Sequence, residues 1–159
     1  MLVKQKTNPK HNLIDWDTRF TLGISLIDKQ HHRLVQLTND LHKACLENPE
    51  TANSYFIDTV REAVNYVRFH FSTEEKLMFL LDFSGYAAHK MEHESFIREV
   101  LTHTRKFTRS KHLVPNRFVQ YLKEWILSHI AVCDRQMSEF VLKTKSYEML
   151  EPVVLESLA

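Results

Sequence analysis

Seven side chains that can bind a metal recur in this chain at spacings that helices can turn toward one point. They are His31, His70, Glu74, His89, His93, His129 and Asp134. His70 and Glu74 are four residues apart, and so are His89 and His93. Because residues i and i+4 share a face of an α-helix, each pair can offer two ligands to the same metal site.

His129 and Asp134 are five residues apart, which is a looser match to the helical period but still lets both side chains reach a core between helices. The whole set holds five imidazoles and two carboxylates, so it is rich in nitrogen. Such a set suits iron, copper or zinc better than calcium or magnesium, which prefer oxygen ligands. The pattern therefore predicts a transition-metal site.

Long helices must position these residues, because only two glycines and four prolines interrupt 159 residues. Apolar residues recur at helical spacing over four stretches, about 25–47, 52–81, 86–109 and 117–143, and the candidate ligands lie on the apolar stripes. The inner face of the last stretch is predicted to carry Phe118, Leu122, Ile126, Val132 and Met137. We predict an all-α fold, an up-down-up-down four-helix bundle (24–144) with an extended N-terminal arm (1–23) and a C-terminal tail (145–159).

Charge and hydropathy exclude several classes of partner. Lys plus Arg is 21 and Asp plus Glu is 20, which gives no reason to expect a nucleic acid or an anionic membrane. No apolar run approaches the roughly 20 residues that span a bilayer, and the first residues lack the apolar core of a signal peptide. Cys45 and Cys133 form no CxxC, so we expect buried, reduced thiols and a cytoplasmic protein.

Other interpretations of the histidines explain fewer residues. One histidine on an apolar stripe is ordinary core, but a core with seven unpaired polar groups would not be stable. The ferritin-like di-iron class needs Glu-x-x-His motifs, which this chain lacks. The H-x-x-E-H pattern of some zinc proteases fits His89 to His93 but leaves the other candidates unused. A structural zinc takes four ligands, whereas seven suit two metals that share bridges.

Four motifs resemble the signatures of the bacterial hemerythrin family over about residues 16–143. They are Trp16 with Gly23-Ile24 and Ile27-Asp28-x-Gln30-His31, then His70-Phe71-x-x-Glu74-Glu75-x-x-Met78, then His89-x-x-x-His93-x-x-Phe96, and Trp125-Ile126-x-x-His129-Ile130-x-x-x-Asp134. All seven ligand positions of that family carry the family's residue type.

The resemblance implies a non-haem di-iron centre with a bridging oxo or hydroxo group and O2 as its ligand. One iron would be bound by His89, His93 and His129, and the other, with one position open, by His31 and His70. The two carboxylates, Glu74 and Asp134, would bridge the irons.

The neighbours of the candidate ligands allow two interpretations. Ile126, Trp125 and Phe71 could form a dry O2 pocket, and ordinary core packing explains their apolar character equally well. Asp28 and Gln30 could orient a ligand or cap a helix, because ligating imidazoles usually donate their other N–H to an oxygen. Glu75 is expected to be solvated or to orient a ligand rather than to bind metal.

Three functions are compatible with the resemblance. The first is reversible O2 binding for storage, delivery or sensing. The alternative is a di-iron enzyme that reduces O2, peroxide or nitric oxide with electrons from an external redox partner, since the chain carries no rubredoxin-like CxxC pair. The third is a metal-free interaction module that has kept the fold, and the complete ligand set argues against it.

Overall fold

The computed structural model describes residues 12–110 and 113–144, and this part of the chain forms four long helices and no strand. The helices are α1 (Ser25–Glu47), α2 (49–80), α3 (Tyr86–Arg109) and α4 (114–143). Two of them are composite. Helix α2 consists of Pro49–Tyr66, the π-helical Val67–Phe71 and Ser72–Leu80, and α4 consists of Val114–Trp125, the π-helical Ile126–Asp134 and Arg135–Lys143.

The four helices pack side by side as a bundle. Helix α1 contacts α2 and α4, and α3 contacts the same two helices. Asn48 alone separates α1 from α2, and residues 81–85 separate α2 from α3. Because connections this short turn each helix back along the preceding one, the bundle runs up-down-up-down. The predicted all-α four-helix bundle is confirmed.

Two helices begin earlier than predicted. Helix α2 begins at Pro49, not near residue 52, because the Asn48 side chain accepts a hydrogen bond from the Thr51 backbone N–H (2.8 Å) and caps the helix. Helix α4 begins at Val114, not near residue 117, so Pro115 lies in its first turn rather than in a linker. A proline is tolerated there because the N–H it lacks would have no partner within the helix.

The two π-helical segments were not predicted, and they change which residues face the core. In a π-helix the backbone hydrogen bonds run from i to i+5, so residues five apart come onto one face. His129 and Asp134 are both buried for this reason. The prediction that Val132 faces inward is wrong: the residue is 51% exposed, because the π-helical segment shifts the register of the helix.

The apolar core has two parts with the candidate ligands between them along the helices. The larger part is rich in aromatic rings and includes Leu34, Phe96 and Ile126. The smaller part includes Ile27 and Met137 near the other end of the bundle. The ligand-rich layer is therefore enclosed by apolar side chains on both sides.

The described portion of the N-terminal arm, from Asn12 onward, docks on the bundle. Phe20 is fully buried, and the Trp16 ring lies 5.6 Å from it. The Asn39 side chain accepts hydrogen bonds from two arm N–H groups at 3.0 Å and donates to the carbonyl of Ile14 at 2.8 Å. Asp28 accepts from the backbone N–H of the two residues before Ile24, so it ties the arm to α1 rather than orienting a ligand.

Cys45 and Cys133 are both free, which agrees with the expected reduced thiols, but each is half-buried rather than buried. No helix within residues 12–110 and 113–144 is long and apolar enough to cross a membrane. The predicted tail (145–159) and the first eleven residues lie outside the described residues.

Candidate metal centre

The structure brings all seven candidate ligands together in the middle of the bundle. Each helix contributes: α1 supplies His31, α2 supplies His70 and Glu74, α3 supplies His89 and His93, and α4 supplies His129 and Asp134. Each of the seven is at most 4% exposed. The i, i+4 spacing on α2 and α3 and the π-helical i, i+5 spacing on α4 aim each pair at the same interior point.

The seven residues form two overlapping groups, in each of which the ligand atoms lie within 4.8 Å of one another. One group contains His89, His93, His129 and both carboxylates, and the other contains His31, His70 and the same two carboxylates. Glu74 and Asp134 therefore belong to both groups. This is the arrangement that two metals with shared carboxylate bridges require.

The short contacts converge on the carboxylate oxygens. Asp134 Oδ1 lies 3.0 Å from both His89 Nε2 and His129 Nε2, and Asp134 Oδ2 lies 3.0 Å from His31 Nε2. Glu74 Oε2 lies 3.1 Å from the Nε2 atom of His93. The imidazole nitrogens thus surround both carboxylates rather than pairing with one each.

Several of these buried atoms form no well-aligned hydrogen bond with a described residue, although some lie 3.0 Å from a neighbouring ligand atom, and this tests whether a metal fits. They include Glu74 Oε1, His89 Nε2, His129 Nε2 and both carboxylate oxygens of Asp134. Burying polar or charged groups without partners is unfavourable by several kcal/mol, on the order of 2–7 for a neutral group alone. A bound cation gives every one of these atoms a partner, and the nitrogen-rich set suits iron. The residues present therefore fit a two-metal centre.

Charge interactions within the cluster are strong in the metal-free protein. Burial opposes the charged form of His129, but the carboxylate of Asp134 outweighs it and raises the pKa of His129 to about 10. The same balance raises the pKa of His89 to about 9, whereas burial lowers the pKa of His70 to about 3. Burial and mutual repulsion oppose ionisation of Glu74, yet the imidazoles lower its pKa, and that of Asp134 is lowered too. A metal therefore replaces protons on His89 and His129.

Two polar side chains orient candidate ligand histidines by hydrogen bonding to their Nδ1 atoms. The His70 Nδ1–H group donates to Gln30 Oε1 at 2.9 Å, and the His93 Nδ1–H group donates to Glu75 Oε1 at 3.1 Å. Glu75 also accepts a hydrogen bond from Lys90 at 2.9 Å. Because Nδ1 carries the proton, Nε2 of each ring is left as the electron-pair donor toward the cluster.

Replacing Gln30 with leucine is expected to weaken metal binding roughly 10- to 100-fold, because His70 loses the acceptor that holds its ring and tautomer. The measurement is iron affinity in competition with a chelator. Gln36→Leu is the matched control, since Gln36 lies exposed on the same helix. Equal affinities for the two variants would contradict an orienting role for Gln30.

Aromatic rings stack directly on three ligand imidazoles. Phe71 stacks on His93 with centroids 3.7 Å apart, and Trp125 stacks on His129 at 4.3 Å. Both of these rings were expected near the site, as was Ile126, which is fully buried in the same core. That Phe71, Trp125 and Ile126 line an O2 pocket stays a prediction.

Tyr66, which sequence reasoning missed, stacks on His70 with centroids 4.5 Å apart. The signal available in the sequence was its position four residues before His70, on the same helix face. Burial, together with the negative charges of Asp134 and Glu74, raises the pKa of Tyr66 well above its ordinary value.

The three other histidines that the structure describes do not join the cluster. His32 is exposed next to His31, and His42 is half-buried. His103 is buried among aromatic rings at another level of the bundle. His11 and His112 lie outside the described residues.

The fold and the cluster together define a helical-bundle protein with a two-metal centre. The sequence profile of the Hemerythrin HHE cation binding domain family matches residues 22–141, and this chain belongs to that family. The family binds a di-iron centre, and the buried histidine and carboxylate cluster of this chain can hold the metal.

Curated relatives support the assignment. The chain is 32% identical over 129 residues to a bacteriohemerythrin of Stenotrophomonas maltophilia, covering 81% of this chain and 82% of the relative. It is 30% identical over 126 residues to a bacteriohemerythrin of Clostridium acetobutylicum, covering 76% and 95%. A solved structure of a hemerythrin point mutant shares the fold, with a TM-score of 0.69 and 24% identity over 80% of this chain and 96% of that one.

Proposed function

We propose that this protein binds O2 reversibly at its di-iron centre, for storage, delivery or sensing. In this proposal one iron is held by three imidazoles and the other by two, and the two carboxylates bridge them. The three are His89, His93 and His129, the two are His31 and His70, and the bridges are Glu74 and Asp134. The two irons, when bound, supply the electrons that O2 needs in order to bind.

The observation that carries the proposal is the unequal number of imidazoles in the two groups. Both groups share the two carboxylates, but one has three histidines and the other has two. If each iron is six-coordinate and one solvent oxygen bridges them, the two-histidine iron keeps one open position. Open positions at an iron site are where small molecules such as O2 bind.

The surrounding residues support binding without turnover. Phe71, Trp125 and Ile126 are at most 6% exposed and place apolar surface around the cluster. Such surface excludes water and the protons that would convert bound O2 to products. Gln30 and Glu75 hold two ligand rings in place, so the ligand set does not need to reorganise.

The test is an optical titration with iron quantitation. The protein is loaded with ferrous iron under anaerobic conditions and then exposed to O2. The O2 is afterwards removed by vacuum or by a stream of inert gas. We expect two irons per chain and a change in absorbance that reverses through several cycles. A stoichiometry of one metal per chain, or no iron, would contradict the proposal.

The same titration separates the alternative function. If each addition of O2 oxidises the protein irreversibly, and an added electron donor restores O2 uptake, the protein is a reductase that needs an external redox partner. The cytoplasmic location expected from the sequence stays a prediction.

A further inference from the structure

The hydroxyl of Tyr66 is buried and has no hydrogen-bond partner within the described part of the chain. The residue as a whole is 7% exposed. Leaving a buried hydroxyl unpaired is unfavourable by about 1–3 kcal/mol, so native proteins almost always satisfy such groups. A phenylalanine would fill the same space without this penalty. The hydroxyl is therefore expected to form a hydrogen bond with a group that is bound when the protein is functional.

The Tyr66 ring lies between the two-histidine group and the apolar wall of the centre. It stacks on His70, with an angle of 27° between the rings. Its edge faces Phe71 at 5.7 Å and Trp125 at 6.4 Å between centroids. Tyr66 thus contacts a ligand of the iron that has the open position and both aromatic residues expected to surround a small ligand there.

The indole N–H of Trp125 is a second buried donor that has no partner in the described part of the chain. Its ring stacks on His129, which belongs to the group with three histidines. That iron has no open position in the proposed arrangement, so the imidazole on which the Trp125 ring stacks belongs to the closed iron, whereas its edge contact with Tyr66 is on the open side. Tyr66 lies against the open side.

Tyr66 also lines a cleft of about 260 Å³ between α1 and α2 that includes Gln30, Phe69 and His70. The cleft is mostly apolar at its lining and opens to solvent. Tyr66 and His70 therefore both adjoin a space that is open to solvent.

We infer that the Tyr66 hydroxyl donates a hydrogen bond to the small ligand at the open position of the two-histidine iron. The inference rests on the proposed function, because it needs that iron and its open position. A donor at this place favours ligands that carry negative charge on the atom it contacts, such as O2 that has accepted electrons or an anion such as azide. Tyr66 is thereby a residue that determines ligand preference and retention.

The test uses azide and the iron-loaded, oxidised protein. In Tyr66→Phe the ring and its stacking on His70 remain and only the hydroxyl is lost. We expect azide to bind about 2- to 10-fold more weakly, the effect of one hydrogen bond, with two irons per chain retained. Tyr121→Phe is the matched control and should bind azide as the unmodified protein does, since Tyr121 lies one turn before Trp125 and packs toward His103.

A measurement without metal tests the premise. Because the hydroxyl has no hydrogen-bond partner among residues 12–110 and 113–144, metal-free Tyr66→Phe should melt at the same temperature as the metal-free unmodified protein, or higher. A clear fall in melting temperature would overturn the inference by showing that the hydroxyl has a structural partner.

The remaining outcomes separate this inference from the proposed function. Unchanged azide affinity in Tyr66→Phe, with both irons present, would overturn the role of Tyr66 and leave the di-iron proposal intact. Loss of iron in Tyr66→Phe would also overturn it, because the phenol oxygen would then be a metal ligand. Failure of the unmodified protein to bind two irons would instead contradict the proposed function itself.

Discussion

Replacing Asp134 with alanine is expected to remove most of the iron from the protein. Its two oxygens contact imidazoles of both groups, so the substitution takes one ligand from each metal at once. It also leaves excess positive charge in a fully buried site, because one of only two carboxylates is gone. We expect the loss of iron affinity to exceed the roughly 10- to 100-fold loss that follows from removing a residue that hydrogen-bonds to a metal ligand.

Glu74→Ala should have a similar effect, since Glu74 also belongs to both groups. Iron per chain, measured on protein purified after growth with added iron and on protein reconstituted from the metal-free form, checks both variants. Circular dichroism of each variant shows whether the helices are retained. Full retention of two irons in both variants would contradict the shared-carboxylate arrangement.

The neighbouring histidines of α1 provide the matched control. His31 is fully buried and lies 3.0 Å from Asp134, whereas His32 is exposed and packs beside Trp16. We therefore expect His31→Ala to lose iron and His32→Ala to keep two irons per chain. Equal iron content in these two variants would contradict the assignment of His31 as a metal ligand.

Removing the metals from the unmodified protein is expected to lower its melting temperature by roughly 10 °C or more. A metal that binds only the folded state stabilises it, and without the metal buried atoms of Glu74, His129 and Asp134 lie close to their neighbours without forming well-aligned hydrogen bonds. For a chain of this size each kcal/mol moves the melting temperature by about 2–4 °C, so a loss of several kcal/mol reaches that shift. Thermal unfolding before and after treatment with an iron chelator gives the measurement.

The chelator itself needs a control, and the iron-free Asp134→Ala variant supplies one. The same chelator should leave the melting temperature of that variant unchanged, because there is no metal to remove. Re-addition of ferrous iron should restore the unmodified protein but not the variant. If the metal-free and loaded forms of the unmodified protein melt at the same temperature, the centre does not stabilise the fold.

The helical period of the sequence determined most of the fold and identified four of the seven candidate ligands. His70 with Glu74, and His89 with His93, lie four residues apart on apolar stripes, and the local geometry of an α-helix puts such pairs on one face whatever the neighbours are. The bounds of α1 and α3 agree with the prediction for the same reason: apolar periodicity and the breakers that end it are local properties.

Only the tertiary structure decided how the ligands are shared and how α4 is wound. His31 and Asp134 are remote in the chain, and their 3.0 Å contact depends on how α1 and α4 pack together. The π-helical turn that aligns His129 with Asp134, and turns Val132 outward, is less favourable locally than a regular α-helix and is stabilised by packing around the cluster. The stacking of Tyr66 and the raised pKa of His129 likewise arise from groups brought together by several helices, and no local pattern encodes them.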